Sequence, residues 1–378
     1  MRIAIVGGGP AGAYLGYRLA SRGIEVAIFD DSHPREKPCG GGLSSFTLRK
    51  FPILRELPSG NVGGRKIFLV SPSGREAMVE GVEEGWNVSR AKLDGFLLER
   101  ATGEGVRLIK ERVIALNALK SDVGWKIKTS KRSYRADMIV GADGVNSIVR
   151  RTLVGPFRKE DLCFCYGYFT NVTKELEDFE GIMKFFRGMM GYAWLFPRET
   201  DCSIGIGTAV ENQKRARKEL EIFLKKYAGN AKIISTWGAL LPSARTAGFF
   251  RQPASGSNWI LIGDAAGHVN PVTGEGILYA LWSASLACDA LERGEPGMFD
   301  ALWRKEYGWD MVKGAETRSL FYNHLGLELS IWLAQRSRTF GEFLYDSINS
   351  EIEGKNFTKC LIKKLPSSLI ECMHAKPS

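Results

Sequence analysis

Short apolar runs separated by glycine-rich turns organise the beginning of the chain. Residues 2–6 and 25–29 are apolar runs that predict two strands, and residues 13–22 between them have helical periodicity. The sequence Gly-Gly-Gly-Pro-Ala-Gly joins the first strand to the helix. This order predicts a β-α-β unit at the start of the chain.

The later part of the chain changes its pattern twice. Residues 65–80 predict a hairpin, residues 89–101 a helix with Arg90 and Asp94 in its opening turn, and residues 134–140 one strand. From residue 162 to 242 strand signals dominate, at 163–171, 181–186, 192–196, 202–208 and 232–241, broken by a basic helix at 213–227. A parallel-type strand and helix return after residue 259, and residues 299–378 have helical patterns.

These patterns predict an α/β (α+β) fold with a Rossmann-type domain into which an antiparallel β-sheet substrate domain is inserted. We expect the nucleotide-binding domain to comprise residues 1–60, 86–160 and 250–295. The sheet domain then takes residues 61–85 and 161–249. Residues 296–378 form a C-terminal helical region.

Composition narrows the classes of partner. The chain has 378 residues, 44% of them hydrophobic, and its 52 Lys and Arg against 42 Asp and Glu give a net charge of +10. This charge favours an anionic partner. We expect no nucleic acid, because the positive charge is scattered and no nucleic-acid module is recognisable. A phosphorylated substrate or an anionic membrane surface fits better.

Cysteine content and apolar runs bear on location. Seven scattered cysteines and four histidines, with no CxxC pair, predict no metal site and a reducing, cytoplasmic location. The thiols of Cys163 and Cys165 should point to the same face of a strand. We expect no signal peptide and no membrane-spanning helix. The basic tail at 359–365 is either a solvated helix face or a peripheral membrane contact.

The glycine-rich turn has the spacing GxGxxG. Gly7 allows the tight turn, Gly9 lets a diphosphate approach the backbone, and Gly12 lets the helix pack on the strand. Ala11 lies in the turn just before the helix, whose free N–H groups and dipole favour phosphate. Asp30 ends the second strand, where it can accept hydrogen bonds from ribose. The alternatives are an adenine dinucleotide site and a glycine-rich turn without a ligand.

Two later stretches have the same character. Gly-Ala-Asp-Gly follows the strand at 134–140 and places Asp143 at its end. The second stretch, residues 263–276, runs from Gly263 and Asp264 through a Pro-containing turn to Gly274 and Gly276 before a helix. Three such stretches in this order favour a bound dinucleotide over simple connections.

With these motifs, residues 1–291 resemble the flavoprotein monooxygenase superfamily of the hydroxybenzoate hydroxylase fold. Two further motifs resemble the geranylgeranyl reductase family, which includes digeranylgeranylglycerophospholipid reductases. Pro38-Cys39-Gly40-Gly41-Gly42 is similar to its CxGG motif, and Tyr192-Ala193-Trp194-Leu195-Phe196-Pro197 to its YxWxFP motif. The resemblance implies FAD as the cofactor.

The resemblance also implies site residues. Cys39 would donate the proton and, with Gly40 and Gly41, lie near the flavin, and an arginine like Arg90 would contact the cofactor. Tyr192, Trp194 and Phe196 would contact the substrate. Each has a simpler interpretation: Cys39 as a small buried side chain, Arg90 as a solvated charge, and the aromatic stripe as sheet core.

The activity implied is FAD-dependent saturation of isolated double bonds in geranylgeranyl chains of archaeal-type glycerolipids. Reduced flavin supplies the hydride, and an ordinary thiol is protonated at neutral pH and can supply the proton. The electron donor, NADPH or ferredoxin, stays open. The alternatives are an FAD-dependent hydroxylase of an aromatic or lipid substrate and a prenyl-chain escort protein without redox activity.

Overall fold

The computed structural model describes residues 2–58, 62–119, 124–171, 181–349 and 354–374. In these ranges the strands, in chain order from β1 to β16, are Ile3–Val6, Val26–Phe29, Gly42–Leu43, Val62–Val70, Glu76–Asn87, Arg107–Ile109, Val113–Ala118, Trp125–Thr129, Ser133–Ala136, Met138–Gly141, Leu162–Thr170, Ile182–Phe186, Met189–Pro197, Cys202–Ala209, Ile233–Pro242 and Trp259–Leu261.

The helices lie between groups of strands and dominate after residue 277. In chain order from α1 to α11 they are Pro10–Ala20, Ser45–Lys50, Arg90–Gly103, Ile148–Leu153, Gln213–Ala228, Ile277–Glu292, Phe299–Trp303, Trp309–Phe321, His324–Arg336, Arg338–Ile348 and Gly354–His374. Among the described residues, no helix is both long enough and apolar enough to cross a membrane.

One compact unit contains residues 1–37, 90–161 and 241–312. Its main sheet has the order β16-β10-β1-β2-β6, and every pairing in it is parallel. The central strand β1 is buried at all four positions, as an apolar run covered on both faces should be. Helix α1 packs against α3 and α6. The predicted β-α-β unit and Rossmann-type sheet are confirmed.

The prediction of one strand at 134–140 was wrong. Residues 133–136 form β9 in a separate three-stranded sheet with β7 and β8, and 138–141 form β10 in the parallel sheet. Asp137 separates them, and its carboxylate accepts a hydrogen bond from the Arg2 N–H at 2.7 Å. An apolar run alone cannot show this break, because both halves are strand.

The other unit contains residues 38–89, 162–240 and 313–378. Its eight-stranded sheet has the order β15-β11-β14-β13-β12-β4-β5-β3. The expectation of a purely antiparallel sheet was wrong at one place, since β12 runs parallel to β4. On one face, inward side chains of β13 and β14 such as Leu195 and Ile204 pack with Leu220 and Phe223 of α5. One buried core cluster of this unit lies there.

These units have boundaries that differ from the predicted domains. Residues 42–43 pair with β5, which places the segment after residue 38 with the eight-stranded sheet. Helix α10 packs on β5, and the Tyr345 ring lies within about 2 Å of where a Cβ on Gly81 would be. The last helices therefore group with this sheet by contact, and the division into three domains stays a prediction.

Candidate functional site

The GxGxxG turn between β1 and α1 is sterically closed to any residue but glycine at two positions. Gly7 has φ +105°, and a Cβ there would lie 2.4 Å from the carbonyl oxygen of Ala142. A Cβ on Gly12 would lie 1.9 Å from the Gly7 carbonyl oxygen. A Cβ on Gly9 would meet only His33 Nε2, at 3.7 Å. Gly7 and Gly12 are therefore needed for close packing of the turn against neighbouring backbone, while the Gly9 position is open.

The N-terminus of α1 fits an anion. Pro10 begins the helix, and the N-cap Gly9 makes no side-chain cap hydrogen bond to the first turn. Ala11, in that turn, is buried. Helix N–H groups with no side-chain acceptor attract phosphate oxygens.

Asp30, at the end of β2, is held by several donors. Its Oδ2 accepts hydrogen bonds from the Gly8 N–H at 2.7 Å and from His33 Nδ1 at 2.8 Å, and its Oδ1 accepts from the Ser32 and His33 N–H groups. Burial opposes ionisation of Asp30, but the bonds from His33, Gly8 and Ser32 outweigh it and hold its pKa well below the ordinary value. Asp30 is therefore a fixed carboxylate at the edge of the turn.

Two residues that were not predicted as part of the site, His33 and Asp94, lie between Asp30 and Arg90. His33 Nε2 lies 3.4 Å from Asp94 Oδ2, and Asp94 accepts two hydrogen bonds from Arg90, both at 2.9 Å. The Asp94 side chain is fully buried. Arg90 is thus not a solvated charge but a buried one, bound to Asp94 in the first turn of α3.

The other two predicted stretches converge on the same turn. Asp143 accepts a hydrogen bond from the Ile148 N–H at 2.7 Å, while its Oδ1 is buried and has no partner among the described residues. Burial raises the pKa of Asp143. An orphaned carboxylate oxygen of this kind fits a ligand hydroxyl.

Residues 263–276 complete the convergence. Gly263 has φ +56°, and a Cβ on it would lie 3.1 Å from the Ala11 Cβ. Gly274 also has positive φ, and a Cβ on Gly276 would lie 3.4 Å from Asp264 Oδ1. Gly263 therefore lies against the first turn of α1, and Gly276 lies beside Asp264.

The cysteine–glycine turn and the aromatic motif meet within the eight-stranded-sheet unit. A Cβ on Gly40 would lie 2.8 Å from the Phe196 ring and 3.4 Å from Trp194 Nε1. Gly41 has φ +82°, and its N–H donates to Cys39 Sγ at 3.3 Å. Nothing in the spacing of the two motifs predicts this contact, since about 150 residues separate them in the chain.

Five aromatic rings form what we call the aromatic floor: Tyr192, Trp194, Phe196, Phe169 and Trp237. The first three alternate along β13 and share one face, as predicted, opposite the face that packs on α5. Ring centroids of Tyr192 and Trp194 are 6.1 Å apart, and those of Trp194 and Trp237 are 5.9 Å apart with planes at 25°. Phe169, Trp194 and Trp237 are buried and the other two rings are partly buried, so the floor is a continuous apolar cluster.

Two glycines let the indole rings of Trp194 and Trp237 lie close against the sheet. A Cβ on Gly205 would be 2.4 Å from Trp194 Cζ2, and a Cβ on Gly167 would be 2.4 Å from Trp237 Cζ2. These glycines were not singled out from the sequence, although the alternating Gly-Ile-Gly of β14 is a signal once β14 is known to pair with β13.

Ser203 ties the aromatic floor to the cysteine turn. Its Oγ accepts a hydrogen bond from Trp194 Nε1 at 3.2 Å and donates to the Cys39 carbonyl oxygen at 2.9 Å. Ser203 is fully buried on β14. This residue was also missed, because a serine in a strand carries no sequence signal for such a bridge.

Cys163, Cys165 and His268 are not part of a metal centre among the described residues. Cys163 Sγ and Cys165 Sγ lie 3.9 Å apart on one face of β11, as their spacing predicts. No group of three or more potential ligands occurs in the part of the chain that the structure describes. Burial, with Arg304 and Arg150 nearby, lowers the pKa of His268 to about 3, so His268 is a neutral packed side chain.

The chain is similar in sequence to geranylgeranyl reductases. The geranylgeranyl diphosphate reductase of Rhodobacter capsulatus is 30% identical over 328 residues, covering 80% of this chain and 80% of the relative. The digeranylgeranylglycerophospholipid reductase of Methanococcus vannielii is 26% identical over 394 residues, covering 97% of this chain and 96% of the relative. A profile of the NAD(P)-binding Rossmann-like domain matches residues 5–53.

The fold is shared with a solved structure from Thermoplasma acidophilum described as geranylgeranyl bacteriochlorophyll reductase-like. Its TM-score is 0.77 at 21% identity, covering 99% of this chain and 98% of the other. Fold and glycine turns thus define a Rossmann-type nucleotide-binding protein. At the level of sequence, the chain belongs to the geranylgeranyl reductase family. The predicted fold class, family, cofactor and class of enzyme are confirmed.

Proposed function

We propose that this protein binds FAD and saturates isolated double bonds of geranylgeranyl chains, with Cys39 as the proton donor. The observation that carries the proposal is the contact between the Cys39–Gly42 turn and the aromatic floor, joined by Ser203. A thiol-bearing turn packed against a cluster of aromatic rings supports this assignment.

The residues around α1 fit FAD. The open Gly9 position, the first turn of α1 without a side-chain cap and the unpartnered Asp143 Oδ1 offer room, phosphate donors and an acceptor. Asp30, held as a carboxylate, would accept from ribose. When bound and reduced, FAD supplies a hydride to one alkene carbon.

Cys39 supplies the proton that the reduction needs beside the hydride. Saturation of an alkene adds a hydride to one carbon and a proton to the other, so an acid must face the carbon that does not receive the hydride. The Cys39 sulfur accepts a bond from the Gly41 N–H, which fixes the side chain within its turn. Its S–H hydrogen is then the one donated, and the thiolate formed is reprotonated from water.

The aromatic floor holds the chain and stabilises charge. Burying a chain of roughly twenty carbons gains on the order of 10 kcal/mol or more, at about 0.8 kcal/mol per methylene. The π faces of Tyr192, Trp194 and Phe196 would also stabilise cationic character if protonation precedes hydride transfer.

The substrate we propose is a long isoprenoid lipid, most simply an archaeal-type glycerolipid, as the name of the Methanococcus relative suggests. Peripheral membrane contact would give access to it. On α11, Ile362, Ile370 and Met373 are exposed beside Lys359 and Lys363. NADPH or ferredoxin is the proposed source of electrons.

Mass spectrometry of lipid extracts incubated with the protein, FAD and dithionite without oxygen tests this function. We expect products heavier by two hydrogens per saturated bond, and their masses identify the head group. A hydroxylase would give no product without oxygen. An escort protein would purify without flavin and change no lipid.

A further inference from the structure

A chain of four ionisable side chains lies beside the glycine turn. It runs from Asp30 through His33 and Asp94 to Arg90, with contacts of 2.8 Å, 3.4 Å and a pair at 2.9 Å. The His33 side chain is 10% exposed and that of Asp94 is not exposed at all. The two ends are the residues predicted to contact the cofactor, whereas the two middle residues have no assigned role.

Packing alone does not account for this arrangement. Burying two carboxylates and a guanidinium costs free energy that apolar side chains of similar size would not. The His33 ring also lies close to the turn itself, since its Nε2 is 3.7 Å from the Cβ position of Gly9. His33 therefore touches both the acid at the end of β2 and the open part of the turn.

We infer that His33 and Asp94 are positioning residues of the FAD site, which hold the Asp30 carboxylate toward the ribose and the Arg90 guanidinium toward the cofactor. This inference rests on the proposed binding of FAD. It brings together two cofactor contacts that are far apart in the chain, because the His33 ring bonded to Asp30 lies 3.4 Å from the Asp94 carboxylate that holds Arg90.

The two nitrogens of the His33 ring face different carboxylates. Nδ1 donates to Asp30, so Nδ1 carries a hydrogen, while Nε2 faces Asp94. In His33→Asn the amide nitrogen takes the place of Nδ1, and in His33→Gln it takes the place of Nε2. The first variant keeps the contact with Asp30 and the second does not.

Titration of the flavin-free full-length protein with FAD tests the inference, followed by fluorescence quenching. We expect His33→Ala to weaken FAD binding about tenfold or more, since a hydrogen bond to a charged group is lost, and His33→Asn to restore most of the affinity. Asp31→Asn is the matched control, because Asp31 is the adjacent acid and pairs with Arg112 on the surface. It should bind FAD as the wild type does.

Competition with ADP and 2′-deoxy-ADP gives a readout that a purely structural role would not move. The wild type should prefer ADP because Asp30 accepts from the ribose 2′-hydroxyl, and His33→Ala should lose most of that preference. Unchanged FAD affinity and unchanged ADP preference in His33→Ala would overturn the inference, even if its melting temperature falls. Should His33→Ala not fold, equal ADP preference in the Asn and Gln variants overturns it. Absence of FAD binding by the wild type would instead reject the proposed cofactor.

Discussion

Replacing Ser203 by alanine removes one oxygen atom and, with it, the hydrogen-bonded link between the cysteine turn and the aromatic floor. The Ser203 hydroxyl is fully buried, accepts from Trp194 Nε1 at 3.2 Å and donates to the Cys39 carbonyl at 2.9 Å. Alanine fits the same space. The variant therefore tests the bridge itself, with little change in packing volume.

The two hydrogen bonds set the expected magnitudes. A buried polar group left without a partner costs about 1–3 kcal/mol. In the variant the Trp194 N–H is left buried without an acceptor, whereas water can bind the Cys39 carbonyl in its half-buried turn. We therefore expect the free energy of unfolding to fall by about 2–3 kcal/mol. Because an error of about 1 Å in placing a reacting group costs roughly 100-fold in rate, we expect saturation to slow by about 10- to 100-fold.

The assay compares Ser203→Ala with Thr208→Val, another hydroxyl deletion on β14. Thr208 is also fully buried and donates to the Met190 carbonyl at 2.9 Å, but its position on the strand places it on the opposite face from Ser203. Both variants should lose stability in urea and keep the flavin spectrum. Only Ser203→Ala should lose dithionite-driven saturation; equal turnover in the two variants would refute our account of the bridge.

Three further predictions follow from single residues. Cys39→Ser should keep the flavin spectrum and lose saturation, because a hydroxyl is a much weaker acid than a thiol, whereas Cys360→Ser on α11 should stay active; an active Cys39→Ser would remove Cys39 from the mechanism. Gly205→Ala should cost about 1–3 kcal/mol in urea unfolding through overpacking and weaken long-chain substrates, with Gly103→Ala, where a Cβ meets nothing within 4 Å, as the control. The pKa of His268, near 3 when folded, lies below its unfolded value, so the unfolded state takes up more protons in acid. Stability should drop by about 2 kcal/mol from pH 7.5 to pH 5 through this group, and a His268→Asn variant with the same pH slope in urea unfolding would show that another group is responsible.

Local motifs predicted the parts of the fold that depend on neighbours in sequence. The β1–α1–β2 unit needs Gly7 and Gly12 at fixed spacing, and the clashes that a Cβ would cause there explain why the motif is readable. The parallel pairing of β12 with β4 was not readable, because it joins segments more than 100 residues apart. The break at Asp137 depends on a bond to Arg2, which is equally distant.

The candidate site likewise contains residues that could be predicted from the sequence and residues that could not. Cys39 and the aromatic strand carry family motifs, so they were predicted from sequence. Ser203 and Gly205 act on residues of other strands, and their roles exist only once β13 and β14 are paired in register. His33 escaped notice because the loop after β2 must fold back before its ring can meet Asp94.

The glycines of β11 and β14 have a consequence for how a branched hydrocarbon travels. Since Gly167 and Gly205 carry only hydrogen, the indole rings of Trp237 and Trp194 lie close against the sheet, with their planes 25° apart. If these rings bind the hydrocarbon as we propose, flat rings offer few ridges to methyl branches, so we expect a polyene to slide lengthwise with little resistance. Successive alkenes of one molecule could then be brought to the same thiol while the sheet itself stays still.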